Sequence, residues 1–165
     1  MVRVLKPTGT IFYNHKDRIF NFEVLSPLVW ILKTKAKFRQ RITWDRRGMQ
    51  AHNPVRFFRI EEDIYILGKE AKGFRWNPES AKYLSIWRIP ANKNNLGHPA
   101  TFPKELVRRC VEAFTNKGDI VYDPFLGIGT TAIVANQNNR QYIGSEISTS
   151  YCETALKLLD QRRLF

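Results

Sequence analysis

Residues 123–131 read Asp-Pro-Phe-Leu-Gly-Ile-Gly-Thr-Thr, and this stretch decides the predicted fold. Residues 119–122 before it are mostly apolar and predict a short strand, and the residues from Thr130 onward predict a helix. Two glycines one residue apart let the backbone turn tightly into a helix N-terminus and approach a ligand closely. The stretch therefore predicts a strand, a glycine turn and a helix in succession.

A second predicted strand, residues 141–145, follows the helix and ends at Glu146, 19 residues after Gly127. This order is a βαβ unit and predicts a parallel α/β sheet. A carboxylate at that spacing can bond both hydroxyls of a ribose. The third glycine of a dinucleotide fingerprint would fall at Ala132, which some dinucleotide binders tolerate, so the glycines alone leave the nucleoside cofactor open. A structural turn followed by an N-cap acid is the alternative interpretation.

The motif Asp-Pro-Phe-x-Gly-x-Gly-Thr-Thr resembles the cofactor motif of the DNA amino-methyltransferases, which methylate N6 of adenine or N4 of cytosine. Residues 98–106 resemble the family's motif that helps to hold the methionine end of the cofactor, and residues 140–147 resemble its strand with the ribose-binding acid. Residues 3–10 resemble the helix-to-strand turn just after its catalytic motif, and residues 56–69 resemble a later strand of its sheet. The resemblance thus spans nearly the whole chain and is most specific over residues 98–146.

The resemblance implies an α/β fold with a Rossmann-like methyltransferase sheet in circularly permuted order, the catalytic part first. It implies S-adenosyl-L-methionine as the cofactor. The cofactor-binding residues that it implies are His98, Pro99, Thr101, Phe102, Asp123, Phe125, Gly127, Gly129, Thr130, Thr131 and Glu146. We expect one domain over residues 1–165, made of a part that follows the catalytic motif (1–68), a short target-recognition-like region (69–97) and a cofactor-binding part (98–165).

The sequence departs from the family at the catalytic motif, an Asp/Asn/Ser-Pro-Pro-aromatic loop that holds the target amine. Asn53-Pro54 and Asn77-Pro78 lack the second proline and the ring, so the catalytic residues are unknown. In the permuted order this tetrad would precede Arg3, and we therefore expect a chain that is incomplete at its N-terminus. Ile128 also stands where the family usually has serine.

The two cysteines do not suggest other chemistry. Neither Cys110 nor Cys152 follows a proline, as the nucleophile of C5-cytosine methylation would. Two cysteines are also too few for a disulfide framework or a metal site. We expect both to be buried, inert thiols, and we expect no metal.

The net charge of +12 is confined to the first two thirds of the sequence: residues 1–118 hold 23 Lys/Arg and 10 Asp/Glu, and residues 119–165 hold 4 and 5. Five cations recur at every second position, which on a strand would place them on one face. These are Lys33, Lys35, Lys37, Arg39 and Arg41. With Arg46 and Arg47 they predict a DNA-binding segment over residues 33–59. A solvated edge strand protected by lysines is the alternative.

Together these features predict an S-adenosylmethionine-dependent DNA methyltransferase of the restriction-modification type, acting on a flipped base of double-stranded DNA. We expect a truncated or split form that depends on an N-terminal partner segment, with a cognate restriction enzyme as a further partner. A non-catalytic remnant that binds cofactor and DNA, and an RNA methyltransferase, remain alternatives. No apolar run is long enough to span a membrane, and we expect a cytoplasmic protein.

Overall fold

The computed structural model describes residues 1–48, 57, 59–92 and 101–160. The chain divides into two compact units. The first unit comprises Met1–Trp76 and Ala81–Pro90, and the second comprises Asn77–Ser80 and Ala91–Phe165. The single domain predicted over residues 1–165, with its three parts, stays a prediction.

The first unit is built around a mixed sheet. In chain order its elements are β1 (Thr10–His15), β2 (Arg18–Phe20), β3 (Glu23–Leu25), α1 (Leu28–Ile31), β4 (Lys37–Asp45), β5 (Glu61–Gly68) and β6 (Ile86–Arg88), with short 3₁₀ helices at Val2–Val4 and Pro78–Lys82, the latter shared with the second unit. Four of these strands form one sheet in the order β1-β5-β4-β6, and β2 and β3 form a separate hairpin. β5 is antiparallel to both β1 and β4, and β6 is parallel to β4.

The core of this unit packs against β5. Tyr65 and Leu67 pack with Ile11 of β1 and Ile31 of α1. β5 is central in the sheet and buried on both faces, so nearly every residue from Asp63 to its end is hidden from solvent. The mostly apolar sequence of residues 63–67 before Gly68 is typical of a strand, and β5 contains it.

The second unit contains the βαβ unit. Its elements are α2 (Lys104–Phe114), β7 (Ile120–Asp123), α3 (Thr130–Gln137), β8 (Gln141–Gly144) and α4 (Thr149–Asp160). β7 and β8 pair in parallel, which confirms the predicted parallel strands. The apolar spacing of residues 103–115 predicts α2 to within one residue at each end.

The helices of the second unit pack on its strands through two apolar clusters. Val107 and Val111 of α2 meet Val134 of α3, with Val121 of β7 against them. A second cluster joins α3 to α4 and includes Tyr142 of β8. The glycine turn between β7 and α3 therefore joins two elements whose positions are fixed by apolar packing.

In the described part of the chain no helix has both the length and the apolar character needed to cross a membrane. The same residues contain no cluster of three or more side chains able to hold a metal ion.

Candidate cofactor and DNA sites

The loop between β7 and α3 turns through two glycines with left-handed backbone angles. The φ angle is +56° at Gly127 and +90° at Gly129, a region that L side chains rarely adopt. A Cβ at Gly129 would lie 3.0 Å from the Cβ of Ala155 on α4. The loop is joined to the end of β8 by the Leu126 N–H, which donates to the Ser145 carbonyl at 2.9 Å. Backbone conformation therefore requires both glycines, and close packing also requires the second.

Glu146 closes this loop with its carboxylate. One oxygen accepts the Gly127 N–H at 2.8 Å, and the other accepts the Ser148 N–H at 2.9 Å. A carboxylate oxygen can accept more than one hydrogen bond. The acid is thus fixed beside the glycine turn, and its side chain stays half-exposed.

Asp123 and Thr131, both predicted as cofactor-binding residues, contact each other inside the loop. The Thr131 hydroxyl donates to Asp123 Oδ2 at 2.6 Å, and the Phe125 N–H donates to Asp123 Oδ1 at 3.0 Å. The aspartate therefore connects the end of β7 to the first turn of α3. Thr130, also predicted to bind the cofactor, is the first residue of that helix. We expect Asp123 and Thr131 to shape the loop, whichever groups it binds.

Two large apolar side chains near the acid and the glycines are open to solvent. Phe125 is 84% exposed and Ile147 is 100% exposed. Ile147 was not predicted as a site residue, although its position directly after the predicted acid was a usable signal. Ile128, where the family usually has serine, is buried at 6% exposure and fills the core beneath the loop. A serine at this position would need a hydrogen-bond partner that isoleucine does not need.

The predicted segment before α2 is only partly described. His98 and Pro99 lie outside the described residues. The side-chain amide of Asn92 donates to the Thr101 hydroxyl at 3.3 Å and to the Phe102 carbonyl at 3.0 Å. Phe102 also packs against the cluster formed by α2 and α3, so this end of the segment is anchored to the βαβ unit.

The five alternating cations do not share a strand face, and that prediction is wrong. Lys33 and Lys35 lie in the turn that precedes β4. A bulge at Arg39 then shifts the register, so that Lys37 lies opposite Gly68 whereas Arg41 lies opposite Tyr65. Because those two partners are three residues apart on β5, Lys37 and Arg41 project from opposite faces of the sheet.

Three of the predicted DNA-binding arginines have partners within the first unit. Arg39 donates to the Thr10 hydroxyl at 3.1 Å and to the Glu70 carbonyl at 3.0 Å, and its guanidinium lies 4.0 Å from the Phe74 ring. Arg41 lies 3.8 Å from Asp63, and Arg46 donates to Glu62 at 2.8 Å. Each of these contacts competes with a phosphate for the same guanidinium.

Asp63 is a nearly buried acid that faces Arg41. The residue is only 5% exposed, and burial raises the pKa of its carboxyl above the usual range, an effect that the nearby Arg41 charge partly opposes. Five of the seven predicted cations are exposed: Lys33, Lys35, Lys37, Arg47 and, despite its contact with Asp63, Arg41. Within the described residues the first four of these make no ion pair, whereas Arg41 faces Asp63.

The two cysteines differ in burial. Cys110 is buried in α2, and burial raises the pKa of its thiol, as the prediction of an inert thiol requires. Cys152 is half-buried, less than predicted, and its sulfur lies 3.7 Å from the Glu146 carbonyl oxygen.

Comparison with known proteins identifies the family. The family described as DNA methylase, with N6 and N4 methyltransferases as members, matches residues 1–157. The chain belongs to this family. The orphan methyltransferase M.BamHII of Bacillus amyloliquefaciens is 49% identical over 78 residues, covering 43% of this chain and 29% of that protein. The type II methyltransferase M.Cfr9I of Citrobacter freundii is 38% identical over 131 residues, covering 73% of this chain and 44% of that protein.

The fold of the DNA methylase chain matches that of a solved methyltransferase, M1.HpyAVI. The crystal structure of the M1.HpyAVI–SAM complex superposes with a TM-score of 0.74 at 25% identity, covering 93% of this chain and 75% of that one. This likeness, with the mixed sheet described above, confirms the predicted Rossmann-like methyltransferase fold. The chain spans less than half the length of the two curated relatives named here.

Proposed function

We propose that this DNA methylase chain binds S-adenosyl-L-methionine through its second unit and double-stranded DNA through its first. The complete enzyme would transfer a methyl group to an exocyclic amine of adenine or cytosine. The observation that carries the proposal is the Glu146 carboxylate, held between the Gly127 and Ser148 N–H groups at the end of β8.

The residues around the glycine loop fit the chemistry of this cofactor. Glu146 is a hydrogen-bond acceptor suited to a ribose diol, and Phe125 and Ile147 offer exposed apolar surface suited to an adenine ring. The first turn of α3 presents backbone N–H groups and the positive end of a helix dipole, which suit the methionine carboxylate. When bound, S-adenosylmethionine supplies an electrophilic methyl group on a sulfonium.

In the reaction this chain would bind and position the methyl donor. The loop that Asp123 and Thr131 stabilise would hold the donor in one orientation. Direct displacement needs the amine nitrogen about 3–3.5 Å from the methyl carbon and in line with the breaking bond. An Asp-Pro-Pro-aromatic tetrad, absent from this sequence, would hold that amine in the family. We therefore propose that an N-terminal partner segment supplies the tetrad.

The remaining partners follow from the same proposal. Lys33, Lys35, Lys37 and Arg47 would contact DNA phosphates, which position a duplex without reading its sequence. A cognate restriction enzyme would act on the same DNA site, and the cytoplasm is the compartment where we expect both.

The proposal is tested by methyl transfer to mixed-sequence duplex DNA from a tritiated donor. We expect no incorporation by the chain alone, and incorporation when a segment carrying the tetrad is added. Loss of positioning can remove many orders of magnitude in rate, because effective molarities in oriented reactions reach about 10⁵ M or more. Calorimetry on the chain alone gives a separate measurement, since S-adenosylmethionine should bind without the tetrad. A folded chain that binds no S-adenosylmethionine would contradict the proposal.

A further inference from the structure

The β2–β3 hairpin presents a phenylalanine to solvent at its tip. Phe20 pairs with Glu23, so the connecting loop consists of Asn21 and Phe22 alone. The side chain of Phe22 is fully exposed. A ring in this position lies outside the apolar core of its unit, and packing among the described residues does not account for it.

The backbone at the tip favours a smaller residue than the one it carries. The φ angles of Asn21 and Phe22 are +48° and +62°. A two-residue hairpin loop with both φ angles positive is the type I′ arrangement, which favours asparagine followed by glycine. Asn21 fits this preference, but Phe22 places a bulky side chain in the left-handed region, where glycine would be more stable. Local strain of this kind is often retained where a residue has a function.

The surface around the tip is both apolar and cationic. Ile19, Phe20 and Val24 are each 60% or more exposed. Residues 16–41 contain seven Lys/Arg and two Asp/Glu, and Lys16 and Arg18, at the base of the hairpin, are exposed. This combination suits a partner that offers negative charge outside and flat apolar surface inside. Duplex DNA has both, in its phosphates and its stacked bases.

We propose that the hairpin is a DNA wedge: Phe22 inserts between neighbouring base pairs while Lys16 and Arg18 contact the flanking phosphates. This inference rests on the proposed function, because it requires DNA as the substrate. Apolar side chains that enter a duplex partly unstack a base step, and phenylalanine is one of the residues used in this way. An enzyme that flips its target base must provide unstacking energy, and the wedge would supply part of it from binding.

The experiment compares the full chain with Phe22→Gly and Phe22→Trp on two duplexes of equal length, one fully paired and one with a central abasic site. Unstacking is less costly at the abasic site, so the unsubstituted chain and Phe22→Trp should prefer that duplex. Phe22→Gly should lose about 5- to 150-fold in affinity for it, the range of aromatic–base stacking. The slope of log affinity against log salt should not change, because no charge is removed.

Folding is controlled within the same experiment. Glycine suits the turn, so Phe22→Gly should raise Tm by about 2–4 °C, and weaker DNA binding could not be attributed to misfolding. An equal preference for the abasic duplex in the unsubstituted chain and Phe22→Gly would refute the wedge. So would a Phe22→Gly variant that changes a dimer into a monomer in sedimentation and keeps the abasic preference, since the hairpin would then be an interface between copies. If the unsubstituted chain binds neither duplex at low salt, DNA binding in the proposed function fails as well.

Discussion

Replacing Glu146 with glutamine tests the cofactor site most directly. The substitution keeps the size of the side chain but removes its charge and turns one acceptor oxygen into an NH₂ donor. In the structure each oxygen accepts a backbone N–H, from Gly127 and from Ser148. One of these N–H groups would then face another donor. The proposed bond from a ribose hydroxyl would also lose a charged acceptor. Hydrogen bonds to charged groups contribute about 1.5–3 kcal/mol each, so we expect S-adenosylmethionine affinity to fall by about 10- to 150-fold.

The measurement is isothermal titration calorimetry with S-adenosylmethionine, and circular dichroism would show that the variant is folded. Glu153→Gln is the matched control, because Glu153 lies exposed on the neighbouring helix α4 and loses the same charge. We expect Glu153→Gln to bind like the unsubstituted chain. If Glu146→Gln did so too, Glu146 would not belong to the site, and the proposed role of this carboxylate would be refuted.

Three further predictions concern the loop and the exposed lysines. Gly129→Ala should lower Tm more than Gly118→Ala, because both have positive φ but only the Cβ at position 129 would meet a neighbour within 4 Å; equal shifts in a thermal melt would show that the Ala155 contact is unimportant. Thr131→Val should weaken S-adenosylmethionine binding in calorimetry by about 0.5–1.5 kcal/mol, the net value of one hydrogen bond, and Thr131→Ser should restore it. Replacing Lys33, Lys35 and Lys37 with glutamine should flatten the salt dependence of duplex binding by up to about 0.9 per lost phosphate contact; an unchanged slope would mean that these lysines are solvated only.

The backbone of the cofactor loop could be predicted from the sequence because its residues have few alternatives. Gly127 and Gly129 adopt φ angles that other residues avoid, and the apolar runs beside them form the strand β7 and the helix α3. The acid at the end of the next strand follows from the same geometry. Ile147 was not among the predicted residues, because the exposure of an apolar side chain is a property of the folded surface and single exposed apolar residues are common.

Side-chain roles within the loop were harder to predict. Both Asp123 and Thr131 belong to a motif that resembles a cofactor site, yet they bond to each other at 2.6 Å. A motif records that a residue type recurs at a position, and it does not separate contact with the ligand from support of the loop. Only the distances make that distinction.

The prediction that five cations share one strand face is wrong because the strand is bulged, and acids of the same unit also pair with two of the predicted arginines. A period of two assumes an unbroken strand, and one bulge at Arg39 reverses the face of every later residue. Acids distant in sequence then compete for the same guanidinium groups, as Asp63 does for Arg41 and Glu62 for Arg46. The net charge of a segment is therefore an upper limit on the charge that it can offer to DNA. If only Lys33, Lys35, Lys37 and Arg47 reach phosphates, these four should account for a salt slope of about −3.6, and the whole set of seven predicted residues would give about −6.3.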